Sequence, residues 1–173
     1  IADASRPIHA DEESEGVACG AKAIEYDEFS IANDALTVVV NKENDWAKDL
    51  TVDQLKTVWA PGSTINNWNQ VDPAYPDQAL KLFGPGTDSG TFDYFTGAIN
   101  GEEGASRTDY QPSEDDNILV QGVEGDKGAM GYFGYSYFEE NADNLNAVSV
   151  DGVAPSAEAV QDGTYTPLGR QLF

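Results

Sequence analysis

The feature that most constrains this fold is an alternation of short strand-like and helix-like segments, separated by turns rich in Gly, Pro, Asn and Asp. Residues 35–40 form a nearly continuous apolar run, which is typical of a strand buried on both faces. Residues 51–54 have a capping-box pattern, which predicts the start of an amphipathic helix that ends before Pro61. Strands that alternate with helices predict an α/β layer fold.

The same patterns predict the remaining elements. Further strands are expected at residues 26–31, 80–83, 129–133 and 147–150. Further helices are expected at residues 11–24, 91–99, 135–141 and 155–160, and from a cap at 113–116 to Val123. The alternation is interrupted at both ends of the chain, which predicts a mature or excised piece of a larger two-lobed protein.

The composition excludes several classes of function. The chain has 31 acidic and 9 basic residues, a net charge of −22, so nucleic acid and anionic membrane surfaces would repel it. The charge is spread along the chain, which favours adaptation to high salt, where the Debye length falls to about 3 Å. An acidic secreted protein kept soluble by its charge is the alternative. No apolar run reaches the roughly 18 residues of a membrane-spanning helix.

Single cysteine and histidine residues limit the chemistry further. Cys19 has no partner for an internal disulfide and is expected to be an inert, at least half-buried thiol. His9 is expected at the surface, and neither residue can take part in a His/Cys metal cluster. We therefore predict no metal site and no cofactor.

The segment most informative about function is a glycine-rich loop at residues 84–90, between a predicted strand and a predicted helix. Such a loop directs free backbone N–H groups and the hydroxyls of Ser89 and Thr91 to one point, where the helix dipole favours an anion. Gly90 allows close approach of the backbone. An ordinary helix N-cap is the alternative. The loop lacks the Gly-Lys-Ser/Thr of a nucleotide-binding P-loop and the Gly-x-Ser-x-Gly of a hydrolase.

This loop, read as Gly-Pro-Gly-Thr-Asp-Ser-Gly-Thr-Phe-Asp-Tyr-Phe, resembles the phosphate-binding motif of the PstS-type phosphate-binding proteins. These are the extracytoplasmic receptors of phosphate ABC transporters. The resemblance continues in order along the whole chain, and it extends to the highly acidic versions found in salt-loving archaea. The supporting segments are residues 1–8, 36–41, 65–68, 120–123, 128–135 and 165–170.

The resemblance implies a type II periplasmic-binding-protein-like lobe, with a mixed sheet flanked by helices and phosphate held in a cleft. Residues 1–173 would be mainly the second lobe, with hinge segments near 1–8 and 165–173 and the first lobe largely absent. The protein would be a non-enzymatic receptor that passes inorganic phosphate to an ABC-transporter permease. It would lie outside the cytoplasm, with its signal peptide and any membrane anchor outside this chain.

The resemblance also assigns binding residues. Ser89, Gly90 and Thr91 match the family's Ser-Gly-Thr phosphate ligands, and Ser5 falls where many relatives place a phosphate-contacting Ser or Asp. Many relatives carry an arginine four residues before the motif serine, but this chain has Pro85 there.

Another guanidinium is therefore expected to replace the missing arginine. The chain has three arginines, of which Arg6 and Arg170 lie in the expected hinge segments, so Arg107 is the candidate. A surface arginine paired with Asp109 or Glu103 is the alternative.

A carboxylate is also expected in the site, because relatives use one to accept a hydrogen bond from protonated phosphate. Asp88 and Asp3 are the candidates, and a helix-capping or turn role is the alternative for each. Two other classes of function stay open: a structural or interaction protein that kept the fold without the ligand, and a phosphate-handling enzyme. The absence of metal-ligand patterns and of an activated nucleophile disfavours the enzyme.

Overall fold

The computed structural model describes residue 8 and residues 15–172. The described helices are α1 (Glu15–Ala21), α2 (Val52–Trp59), α3 (Trp68–Val71), α4 (Gly90–Asn100), α5 (Asp116–Glu124), α6 (Tyr135–Glu140) and α7 (Ala157–Gln161). The strands are β1 (Ala32–Asn41), β2 (Asp49–Leu50), β3 (Lys81–Gly84), β4 (Gln111–Pro112), β5 (Ala129–Gly134), β6 (Leu145–Ala147), β7 (Ser149–Val150) and β8 (Gly169–Leu172).

A six-stranded mixed sheet organises these elements. Its strand order is β4-β3-β5-β1-β6, and β8 pairs with the first half of β1. Strands β3, β4 and β5 run parallel, whereas β1 is antiparallel to β5, β6 and β8. Strands β2 and β7 form a separate parallel pair. The predicted fold class, a mixed sheet flanked by helices, is confirmed.

Helices cover both faces of this sheet. Val38 and Val40 of β1 pack in one cluster with Trp59 of α2 and Phe95 of α4. Val39 points to the opposite face and packs with residues of α5 and β5. Because successive residues of a strand face opposite sides, a strand covered on both sides must be apolar throughout. This confirms the buried strand predicted at residues 35–40, and the structure extends it to Ala32–Asn41.

Aromatic side chains fill the core between α2, α4 and β5. Phe95 and Tyr132 are stacked with ring centroids 3.7 Å apart, and Trp59 meets both rings edge-on. Trp59 and Trp68 are fully buried, and Trp46 packs partly buried against the same cluster. All three tryptophans are therefore packing residues of this core.

Two predicted strands were wrong. Residues 26–31 have no regular structure, and Phe29 and Ile31 are exposed. An alternating pattern forms a strand only where another strand can pair with it, and the sheet begins pairing at Ala32. Residues 147–150 do not form one strand, because β6 pairs with β1 whereas β7 pairs with β2.

The N-terminal helix is shorter than predicted, since α1 ends at Ala21, where the backbone turns back and the Ile24 N–H donates to the Cys19 carbonyl. The predicted residues 11–14 lie outside the described part. Cys19 is half-buried and free, as expected. His9 also lies outside the described residues. No helix of the described part is both long and apolar enough to cross a membrane.

Candidate functional site

Several strand and helix ends meet at one edge of the sheet. Parallel strands β3, β4 and β5 all end there, and each is followed by a helix or a loop that leads into one: α4, α5 and α6. Because β1 is antiparallel, its beginning lies at the same edge, with Leu36 opposite Gly134. Ligands of α/β sheets bind at such carboxyl edges, where helix N-termini converge.

The glycine-rich loop between β3 and α4 lies at this edge. Ser89 is the N-cap of α4, and its Oγ accepts a hydrogen bond from the Thr91 N–H at 3.2 Å. Ser89 is thus the helix N-cap that was the alternative interpretation. In this role its hydroxyl oxygen only accepts a hydrogen bond. The hydroxyl hydrogen of Ser89 can still be donated to a ligand.

The first turn of α4 leaves backbone donors free. The Asp93 N–H reaches the Ser89 carbonyl, and the Thr91 N–H is capped. The N–H groups of Gly90 and Phe92 have no hydrogen-bond partner among the described residues. Gly90 is exposed, and Ser89 and Thr91 are half-buried. Two free N–H groups and two hydroxyls at a positive helix end form an anion-binding arrangement.

The loop itself is tightly held. Pro85 is buried, and its carbonyl accepts a hydrogen bond of 2.8 Å from the Tyr110 hydroxyl. The Glu114 carboxylate lies against the Cα of Gly86, so a side chain at Gly86 would displace it. Burial and the nearby Glu114 raise the pKa of Tyr110, which keeps its hydroxyl a donor at neutral pH.

Of the two arginines that the structure describes, Arg170 of β8 contacts the Ser-Gly-Thr segment. Its Nη1 lies 3.4 Å from the Gly90 carbonyl, and its Nη2 lies 3.5 Å from Thr91 Oγ1. Asp34, directly opposite on β1, accepts from Nε at 2.9 Å and from Nη2 at 2.8 Å. The Arg170 side chain is only 9% exposed.

Tyr94 connects α4 to this strand. Its hydroxyl donates within 2.6 Å of the Gly169 carbonyl and 3.1 Å of the Pro167 carbonyl. The Arg170 guanidinium lies 5.6 Å from the centre of the Tyr94 ring, within cation–π range. Burial raises the pKa of Tyr94, and the Arg170 charge opposes that rise.

Arg107 lies in a different environment. It is 5% exposed and forms a two-pronged ion pair with Asp109, at 2.6 Å from Nε and 2.8 Å from Nη2. Its Nη1 donates to the carbonyls of Val58 at 3.0 Å and Ile65 at 2.8 Å. The pairing with Asp109 that was weighed as an alternative is present, but the arginine is buried rather than at the surface.

Four of the five N–H groups of Arg107 therefore have partners, and no hydrogen bond joins it to the Ser-Gly-Thr segment within the described part. Its hydrogen bond lowers the pKa of Asp109. Arg107 also lines a cavity of about 470 Å³ beside the loop, together with Thr87, Phe92 and Glu114. Its predicted role as a ligand stays a prediction.

The remaining predicted site residues divide into two groups. Asp88 lies exposed in the loop directly before the cap of α4. Ser5, Arg6 and Asp3 lie outside the described residues, so their predicted roles stay predictions. Among residue 8 and residues 15–172, no group of three or more His, Cys, Asp or Glu side chains could hold a metal ion.

Sequence reasoning missed the contact between Arg170 and the motif. Arg170 lies 79 residues from Thr91 and 136 residues from Asp34 along the chain, so no local pattern joins them. The signal that could have found them is the pairing of β8 with β1, because opposite charges on facing residues of adjacent strands attract. That pairing was not predicted.

Comparison with known proteins assigns the chain to a protein family. Residues 1–173 match the family model described as PBP superfamily domain. The chain is 51% identical to Protein SphX of Synechocystis, over 100% of this chain and 52% of that protein. It is 37% identical to the phosphate-binding protein PstS of Staphylococcus haemolyticus, over 100% of this chain and 54% of that protein.

A solved structure resembles the whole chain as well. It is described as a possible phosphate-binding protein from Planctomyces limnophilus, with a TM-score of 0.84 and 48% identity over 99% of this chain and 61% of that one. The chain spans about half the length of the curated relatives it matches. These matches confirm the resemblance to PstS-type proteins predicted from the sequence.

Proposed function

The chain belongs to the PBP superfamily, and from that premise we propose that it is the part of a phosphate receptor that binds inorganic phosphate at the N-terminus of α4. The observation that carries the proposal is the pair of free N–H groups at Gly90 and Phe92, beside the hydroxyls of Ser89 and Thr91. Phosphate offers oxygens that can accept all of these donors. The names of the PstS relatives and of the Planctomyces protein support this ligand.

Ser89, Gly90 and Thr91 would donate to the phosphate. Arg107 would contribute through its one N–H group without a partner in the described part, and Ser5 would approach from the expected hinge side. Asp88 would accept a hydrogen bond from protonated phosphate, which selects against fully deprotonated oxyanions such as sulfate. Without an activated nucleophile at Ser89, the proposed function is binding rather than catalysis.

A chain with a net charge of −22 can still bind an anion at this position. Long-range attraction is absent and would be screened by salt, so affinity must come from short, desolvated hydrogen bonds that are already positioned. A helix terminus and small hydroxyls meet that requirement without altering the net charge. We extend the proposal to a protein adapted to high salt, in which the excess of carboxylates remains tolerable.

The proposed molecule is a two-lobed receptor outside the cytoplasm, of which this chain is mainly the second lobe. The hinge would include residues 165–173, since Tyr94 and Arg170 join β8 to the proposed site. Closure of two lobes on phosphate would bury the ligand and create a surface for the ABC-transporter permease. The fraction of the relatives' length that the chain spans supports a missing partner lobe.

The proposal is tested by calorimetric titration of phosphate into the intact protein and into residues 1–173 alone. The decisive variant is Ser89→Asp, because aspartate caps a helix as well as serine does but places a negative charge where the anion would bind. We expect Ser89→Asp to fold normally and to lose phosphate binding, since a like charge at short range costs several kcal/mol.

Ser156→Asp is the matched control, because Ser156 caps α7 in the same way, accepting from the Ala159 N–H at 3.1 Å. It should bind phosphate like the unchanged protein. Phosphate binding by Ser89→Asp equal to that of the control would refute the site. Failure of the folded, intact protein to bind phosphate would refute the function and favour a structural protein with a receptor fold.

A further inference from the structure

We propose that Arg170 is the arginine that contacts the anion bound at the N-terminus of α4, in the role that Pro85 leaves unfilled. This inference rests on the proposed function, since it concerns the same site. It differs from the sequence-based expectation, which assigned that role to Arg107 and gave Arg170 to the hinge.

The first argument is proximity. The terminal nitrogens of Arg170 lie 3.4 Å from the Gly90 carbonyl and 3.5 Å from Thr91 Oγ1, so the guanidinium borders the first turn of α4. Both distances are at the long limit of hydrogen bonding, so these contacts are weak and can be exchanged for a better acceptor. A charged phosphate oxygen is a much stronger acceptor than a carbonyl or a hydroxyl.

The second argument is the count of donors. The Asp34 carboxylate accepts hydrogen bonds from Nε and from one N–H of Nη2 of Arg170. Thr91 Oγ1 accepts from the other N–H of Nη2. Nη1 has a single long contact, with Gly90, so one of its two N–H groups has no partner in the described part of the chain. A side chain that is only 9% exposed has little water to satisfy that group.

The third argument is electrostatic. The N-terminus of a helix carries partial positive charge and disfavours a nearby cation. Asp34, on the neighbouring strand, offsets part of the charge of Arg170 through their ion pair. An anion bound at Ser89–Thr91 would lie next to both positive groups and interact favourably with each. The Arg170 guanidinium, packed on the Tyr94 ring, thus lies beside the same first helix turn as the proposed anion.

The test compares phosphate affinity of the intact protein with that of Arg170→Gln, Arg170→Lys and Asp34→Asn. Arg170→Gln should lower affinity by about 10- to 100-fold, which is the value of a charge-assisted hydrogen bond. Arg170→Lys should recover part of the loss. Lys81→Gln is the matched control: Lys81 also pairs with an aspartate, Asp126, but lies at the opposite end of β3, and its loss should change affinity less than about twofold.

Asp34→Asn separates a contact with the anion from a merely structural role. If Arg170 only held β8 to β1, removing its partner should weaken binding as much as Arg170→Gln does. If Arg170 contacts the anion, Asp34→Asn removes a nearby negative charge and should leave affinity unchanged or raise it. The effect of Arg170→Gln should also be larger at about pH 8 than at about pH 6, because phosphate gains a second charge over that range.

Equal losses in Arg170→Gln and Asp34→Asn, or an Arg170→Gln affinity within about threefold of the unchanged protein at both pH values, would overturn the inference. In either case, phosphate binding by the unchanged protein would leave the proposed function standing. Failure of the unchanged protein to bind phosphate would overturn both.

Discussion

Two arginines, Arg107 and Arg170, each form an ion pair with a more exposed aspartate, but their other contacts differ. The Arg107 side chain is 5% exposed and that of Arg170 is 9% exposed. Arg107 uses its Nη1 donors on the backbone carbonyls of Val58 and Ile65, at 3.0 and 2.8 Å. Arg170 holds its remaining donors at 3.4 and 3.5 Å from the first turn of α4.

Each arginine has an ion pair, so the other contacts of the guanidinium distinguish the two residues. Arg107 donates to the Val58 carbonyl in the last turn of α2 and to the Ile65 carbonyl beyond it, so its main effect is on stability. Arg170 makes only long contacts with the first turn of α4, next to N–H groups that have no partner in the described part of the chain. We therefore expect substitutions of the two residues to separate stability from anion affinity.

The largest expected effect is on stability at Arg107. Arg107→Ala should lower the free energy of unfolding by about 2–4 kcal/mol, because it leaves the Val58 and Ile65 carbonyls without donors and removes buried packing. Arg170→Gln should lower the free energy of unfolding by only about 1–2 kcal/mol, because it removes one ion pair between β8 and β1. Urea denaturation at constant salt measures both, and equal losses would remove the distinction between the two arginines.

An intermediate, pH-dependent effect is expected at Asp109. The Arg107 hydrogen bond lowers the pKa of this carboxyl in the folded state, so the pair stabilises the fold above the ordinary aspartate pKa of about 3.9 and loses that contribution as the pH falls through the lowered value. Asp109→Asn should lower the free energy of unfolding by about 1 kcal/mol at neutral pH. The value is modest because the Asp109 side chain is 66% exposed.

The stability difference between Asp109→Asn and the unchanged protein should shrink in acid. Denaturation between about pH 7 and about pH 3 measures it. Asp143→Asn is the control, since Asp143 is exposed and forms no ion pair within the described residues. A difference that stays constant down to the acid end, or that grows there, would contradict the assigned role of the pair.

The smallest expected effect is at Tyr94, which supports the environment of Arg170. Tyr94→Phe removes the hydroxyl that reaches the Gly169 and Pro167 carbonyls and should lower the free energy of unfolding by about 0.5 kcal/mol. Tyr137→Phe is the control, because the Tyr137 hydroxyl has no hydrogen-bond partner among the described contacts. Equal costs for the two variants would mean that the Tyr94 hydroxyl does not hold β8 against α4.

Local sequence determined much of the fold. The capping box predicted at residues 51–54 is present. The Gln54 N–H donates to Thr51 Oγ1 at 3.1 Å, and the Thr51 N–H donates to Gln54 Oε1 at 2.9 Å. The predicted order of strand, glycine-rich loop and helix around Ser89 is also confirmed. These features depend on residues within a few positions of one another, so their chemistry can be read directly from the chain.

Tertiary structure alone decided which distant residues meet. Residues 26–31 have a strand-like pattern but no strand to pair with, and the break at Val148 arises because the strands on either side of it join different sheets. Arg170 reaches Asp34 across 136 residues only because β8 pairs with β1. A strand requires a neighbour and a guanidinium requires acceptors, and long-range pairing supplies both. The residues of the proposed anion site were therefore recognisable in the sequence at the loop, whereas the pairing of β8 with β1 decided which arginine lies beside them.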